Sequence, residues 1–178
     1  MGMFVLFVKT GYEEKMIKEI SAIWSFDKSL RPIVPMFNAR FRKSGKILSE
    51  KRRWMPGYVF IESDLTGMDF YVSSKPLIVW SEYALKLLRY GNNFLDTSYE
   101  MKLDEHQSFQ RLFGLNDCLD ISKGFIEGDS ILVTEGALVG LEGSIKKINR
   151  HKMLAYVEIE MFGASRIVEF GLEVISKK

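Results

Sequence analysis

Arg52-Arg53-Trp54-Met55-Pro56-Gly57-Tyr58-Val59-Phe60-Ile61 is the stretch on which the reading of this chain turns. Two cations and a large aromatic lead into Pro-Gly, and an alternating run follows at once. Proline fixes φ and has no N–H to donate, while glycine tolerates close approach or a bulge. Beyond them Tyr58 and Phe60 point to one side of a sheet and Val59 and Ile61 to the other. Two readings stand side by side. One is a buried strand with a kink; the other is a sheet-anchoring strand that holds Trp54, Met55 and Tyr58 at its rim as an apolar binding surface.

Upstream, residues 4–8 read as a short buried strand, and Thr10-Gly11-Tyr12-Glu13 fits a capping box opening a helix. That helix carries Tyr12, Met16, Ile20 and Ile23 at three- and four-residue spacing, a stripe suited to packing on a sheet. Residues 31–41 hold Pro32 and Pro35 and read as an irregular or edge strand. Lys43-Ser44-Gly45-Lys46 is a turn, and residues 47–53 lead back into the opening stretch. The result is a long hairpin whose cations include Arg40, Arg42, Lys43, Lys46, Lys51, Arg52 and Arg53. Such a tip either protects a sheet edge as a solvated loop or contacts nucleic-acid phosphate or an acidic protein surface.

Downstream, Thr66-Gly67 opens a short helix that Lys75-Pro76 should stop, with residues 77–80 a further strand. Residues 84–90 read as helical and end at Gly91-Asn92-Asn93. Asp104-Glu105 start another helix that packs Phe109, Leu112 and Phe113 inward, with Gly114 at C′. Residues 1–114 are therefore expected to form an α+β sandwich around a mainly antiparallel sheet. Residues 115–123 have no sustained period and read as a linker. From 124 to 178 the pattern is short strands with frequent glycines, predicted at 130–133, 144–148, 155–161, 165–170 and 172–175. This suggests a closed SH3-like barrel. Lys146, Lys147, Asn149, Arg150, His151 and Lys152 lie between two of its strands, with Arg166 on a neighbour. They make either a polar hairpin turn or a tip for phosphate, sugar and base-edge contacts.

Composition narrows the class. The 178 residues are 47% hydrophobic and 27% charged with a formal net charge of +2, ordinary for a globular protein and too small a charge to name a partner. A single cysteine, Cys118, rules out a disulfide framework and suits a reducing, cytoplasmic setting. With only His106 and His151 besides, no metal-ligand pattern exists, and nothing implies a cofactor. His106 adjoins Glu105, but neighbours on a helix do not face one another. His106 is read as a surface helix residue and Cys118 as a linker or packing residue. The chain is not read as an enzyme.

Together these features resemble the NusG family of transcription elongation factors. Residues 4–13 are similar to its opening strand and helix entry, and Pro56-Gly57-Tyr58-Val59-Phe60-Ile61 to its signature strand. Gly128-Asp129, Val133, Gly136, Gly143, Ile148 and Val157 fall on the KOW motif of its C-terminal barrel. The resemblance implies an NGN domain over 1–114 and a KOW domain over 124–178. Asn149-Arg150-His151-Lys152 and Gly171-Leu172-Glu173-Val174-Ile175 look closest to the LoaP branch, which implies processive antitermination and a KOW domain that recognises an RNA hairpin in the leader transcript. It further implies that Phe4, Trp54, Met55 and Tyr58 meet the clamp helices of the polymerase β′ subunit, with the basic hairpin near upstream DNA or the opposing jaw. Leu138, Leu141, Met161 and Phe162 match an apolar patch for a ribosomal protein or the termination factor Rho. Gly136-Ala137 in place of Gly-Pro, and Ala164 in place of an arginine, count against Rho. A general RNA-binding or ribosome-associated KOW protein, or a housekeeping NusG acting on pausing and Rho, is the alternative.

Overall fold

The computed structural model describes residues 1–24, 28–91, 98–114, 116–128 and 130–175. Asn92, Asn93, Leu115 and Asp129, which the sequence reading used, lie outside them. In chain order the elements begin β1 (Gly2–Val8), α1 (Glu13–Ile23), β2 (Arg31–Ile33), β3 (Met36–Lys43), β4 (Lys46–Arg53), β5 (Tyr58–Ser63), α2 (Gly67–Trp80), β6 (Ala84–Leu87) and α3 (Leu103–Phe113). They continue with β7 (Cys118–Leu119), β8 (Ser122–Glu127), β9 (Ser130–Glu135), a 3-10 turn (Glu142–Ser144), β10 (Ile145–Asn149), β11 (Leu154–Met161) and β12 (Ala164–Val174). The fold is α+β.

Two compact units form, and neither is one continuous stretch. The first is Met1–Pro35, Met55–Phe109 and Met161–Gly163; the second is Met36–Trp54, Gln110–Glu160 and Ala164–Lys178. Residues 115–123, expected as a linker, contain β7 and the first residues of β8.

The first unit is built on a four-stranded antiparallel sheet in the order β2-β5-β1-β6. Alternation along β1 and β5 gives it two apolar faces. On one, Phe4 stacks on Phe70 of α2 at 3.9 Å, and Trp24 follows α1 to stack on the same ring at 5.6 Å. On the other, Phe60 stacks on Phe109 of α3 at 4.6 Å. The stretch 77–80, expected as a strand, is instead the last turn of α2, which runs through Pro76. Proline removes only the bond to the Val72 carbonyl, on a side of the helix that faces water, while buried Leu77 holds the second half down. Thr66 caps the helix by accepting from the Asp69 N–H at 3.3 Å. The helix expected over 84–90 is also overturned. Its apolar spacing suited either state, and pairing of Leu87 with Leu6 and Ala84 with Val8 makes it the edge strand β6.

In the second unit, β3 and β4 form the expected hairpin around Ser44 and Gly45, both at positive φ as a tight two-residue turn requires. β3 also pairs in parallel with β7, giving a three-stranded sheet β4-β3-β7. The remaining strands make the SH3-like barrel sheet, in the order β10-β11-β12-β8-β9. The two strands expected at 165–170 and 172–175 are one, β12, running through Gly171. A Cβ there would run into the Asn38 carbonyl of β3, so glycine is what lets these strands touch.

Candidate functional site

The Pro-Gly-Tyr stretch is pinned by one buried carboxylate. Glu13 is fully buried, accepting from the Gly57 N–H at 2.7 Å and the Gly11 N–H at 2.8 Å. The capping box expected at Thr10–Glu13 does not form: the residue before α1 is Tyr12, with no side-chain cap. Glu13 points instead at a turn 44 residues away in sequence. Gly57 sits at φ 86°, and its carbonyl accepts from the Val8 N–H at 2.8 Å.

This anchoring sets the exposure of the expected apolar rim. Tyr58 stays half-buried with its ring 5.1 Å from that of Phe7, also half-buried. Phe4, Trp54 and Met55 are not at the surface; their exposures are 0%, 4% and 5%. Phe4 faces α2, and Trp54 sits edge-on to Phe113 and Phe170 inside the second unit. The accessible aromatic pair is thus Phe7 with Tyr58, with Lys86 6.0 Å from the Phe7 ring. Sequence reasoning missed Phe7 because only the antiparallel register places it opposite Tyr58. A second pair, Tyr12 stacked on Tyr83 at 4.6 Å beneath Lys15, was also missed, because the two residues lie in loops far apart in the sequence.

Of the hairpin cations, Arg42, Lys43 and Lys46 remain exposed at the tip. Arg40 pairs with Glu173 at 2.8 Å, and Arg52 pairs with Glu50 and lies 3.7 Å from Glu169. Arg53 is half-buried. The charge available to a partner is therefore concentrated at the turn, beside the exposed Ile47 and Leu48.

At the barrel tip, Asn149 closes the turn after β10 by accepting from the Lys152 N–H at 2.9 Å. It is a scaffold for the loop, and Arg150, His151 and Lys152 project from it into solvent. Lys146 pairs with Glu158 at 2.6 Å, and this bond, with one from Ser165, holds the Glu158 carboxyl below its ordinary range. Lys147 is exposed, and Arg166 is half-buried on β12.

The apolar patch is broken up. Leu138 is fully buried and Met161 nearly so, leaving Leu141 and Phe162 half-buried. Leu138 is drawn inward as its N–H donates to the Ser122 hydroxyl at 3.1 Å. Phe162, with the first unit, stacks on Tyr90 at 4.7 Å and donates its N–H to Glu105 at 2.8 Å. Tyr90 donates to the same carboxylate at 2.6 Å, and burial together with this bond raises its hydroxyl pKa.

His106, expected at the surface of its helix, is buried, and burial pushes its pKa down against the pull of Glu62 and Glu100. Burial likewise pushes the Cys118 thiol up. Among the described residues no cluster of His, Cys, Asp and Glu is arranged to hold a metal ion, and no helix is long and apolar enough to cross a membrane.

Residues 2–80 match the family model described as transcription termination factor nusG. Along nearly its whole length the chain is similar to proteins named transcription termination/antitermination protein NusG. That of Streptococcus pyogenes is 25% identical, covering 99% of this chain and 96% of its own. That of Halalkalibacterium halodurans is 26% identical, covering 98% and 97%. The Bacillus subtilis protein is 24% identical over the same shares. The fold is similar to that in the structure titled "Domain interaction in Thermotoga maritima NusG", with a TM-score of 0.56, 22% identity, and coverage of 97% of this chain and 93% of that one.

Proposed function

We propose, from the match over residues 2–80 and from relatives about 25% identical along the whole chain, that this protein is a NusG-type transcription factor and a specialised elongation factor. It joins RNA polymerase in the cytoplasm through its NGN domain and promotes processive antitermination by binding, without catalysis. Its KOW domain takes a structured hairpin in the leader transcript. The functional division is 1–114, 115–123 and 124–178. The observation that carries the RNA reading is the exposed Arg150-His151-Lys152 turn, held open by the Asn149 side chain.

The roles follow from exposure. Tyr58 with Phe7 offers a compact aromatic anchor to the β′ clamp helices, since a few desolvated aromatics dominate interface energy. Phe4 and Met55 are buried within the first unit and Trp54 within the second, so none of the three is offered directly to the clamp helices. Arg42, Lys43 and Lys46 are placed for upstream DNA or an acidic polymerase surface. Favouring one polymerase conformation by differential affinity is enough to carry it past a terminator. Arg and Lys at the barrel tip supply affinity, and hairpin shape supplies selectivity.

The names of the relatives favour a second reading, a housekeeping NusG that modulates pausing and termination. Burial of Leu138 and Met161 leaves little open apolar surface for a ribosomal protein or Rho on that part of the barrel.

In vitro transcription through a terminator, with and without the native leader, separates the two. The proposal expects leader-dependent readthrough that Tyr58→Ala abolishes; termination unchanged or enhanced regardless of leader overturns it. Arg150→Ala with Lys152→Ala should weaken hairpin binding and lower the salt slope by about 2. An unchanged slope removes this turn from the RNA site.

A further inference from the structure

The barrel sheet has two outer strands, β9 and β10. A cavity of about 440 Å³ opens between them, a size that suits a nucleotide or other small molecule. Its walls are four half-buried isoleucines: Ile126 and Ile131, paired across β8 and β9, and Ile145 and Ile148 from β10. Ser130 and Glu142 also line it, as do Lys146 and Lys147. The register of β10 shifts between Ile145 and Lys147, and this bulge lets two successive lysines line one cavity.

Resting on the RNA reading above, we infer that this cavity receives one unpaired base of the bound RNA, and that guanine fits it best. Apolar walls suit the faces of a base, which RNA-binding domains commonly take out of its stack. Lys147 lies over the Tyr156 ring at 5.9 Å and makes no ion pair among the described residues, and β10 continues from it toward the exposed Arg150 and Lys152. A backbone whose phosphates lie on that turn therefore passes the cavity mouth with the right charge. Glu142 is acceptor-only when ionised, so it matches the N1–H and N2–H₂ donors of guanine and disfavours the carbonyl edge of uracil.

Gly143 provides a clean plug. It lines the cavity, its φ is not positive, and a Cβ there meets open space, so Gly143→Phe should fill the slot without strain. The test uses the full chain with methyl-labelled isoleucine, a stem-loop RNA carrying a single unpaired loop guanine, and the same RNA abasic at that position.

Ring-current shifts confined to Ile126, Ile131, Ile145 and Ile148 are expected with the guanine RNA and absent with the abasic one. The abasic RNA should bind about tenfold more weakly. Gly143→Phe should lose that same factor and become indifferent to the base. If the RNA binds with salt-dependent affinity yet moves none of these methyls, the cavity inference falls and the tip reading survives. If no stem-loop binds, both fall. If an extended apolar peptide moves the four methyls and the guanine RNA does not, the cavity is a peptide site and the inference is wrong. The wild-type methyl shifts decide the matter even if the variant does not fold.

Discussion

Glu13 shows how one residue ties a motif to its scaffold. Its two oxygens satisfy N–H groups of Gly11 and Gly57 in a site closed to water. Glu13→Ala strands both donors, so unfolding should become easier by about 3 kcal/mol in urea titrations. Glu13→Gln, which keeps one accepting oxygen, should fall between that variant and the wild type. His106 is buried with Nε2 lacking a hydrogen-bond partner among the described residues. Burial lowers its pKa in the folded protein below the ordinary 6.5, with the N-terminal ammonium assisting and Glu62 and Glu100 opposing. The unfolded chain therefore takes up this proton first as pH falls. The stability contributed is full above about 6.5 and is lost as pH drops through the folded value. Replacing His106 with Phe should shrink the difference between urea midpoints at about pH 7.5 and pH 5. An undiminished difference would place the acid sensitivity elsewhere.

At the level of elements, legibility depended on what decides each conformation. The β3–β4 hairpin and the α3 stop at Gly114, whose N–H bonds to the Gln110 carbonyl at 2.7 Å, follow from local turn chemistry and were readable. β6 and the end of α2 were not. The run Ala84-Leu85-Lys86-Leu87, which could take either state, became strand by pairing with β1, and Pro76 failed to end a helix whose next turn buries Leu77. The contact between β3 and β12 likewise needed the structure to reveal it. Gly171→Ala should force the Asn38 carbonyl away and destabilise the protein by about 2 kcal/mol. A thermal midpoint equal to wild type would mean the strands can part at no cost.

Across the whole molecule, chain order and compactness diverge. Ser122 lies inside the stretch read as a linker, yet it is fully buried, pairs with Leu172 and accepts from the Leu138 N–H. A barrel fragment of residues 122–178 should therefore melt at a higher temperature than one of residues 124–178. Equal melting would make that buried bond dispensable.

Periodicity, turn residues and charge placement by themselves determined the α+β class, the antiparallel hairpin, the glycine-rich barrel and the exposed Arg150–Lys152 turn. These are local matters, decided by backbone dihedrals and by which side chains water will hold. Tertiary structure alone decided which aromatics remain reachable, sending Phe4 and Trp54 inward and leaving Phe7 beside Tyr58. It also decided that Glu13 serves a distant glycine and that four isoleucines wall a cavity. Burial and long-range pairing depend on residues far apart in the chain, and no local pattern records which of them will meet.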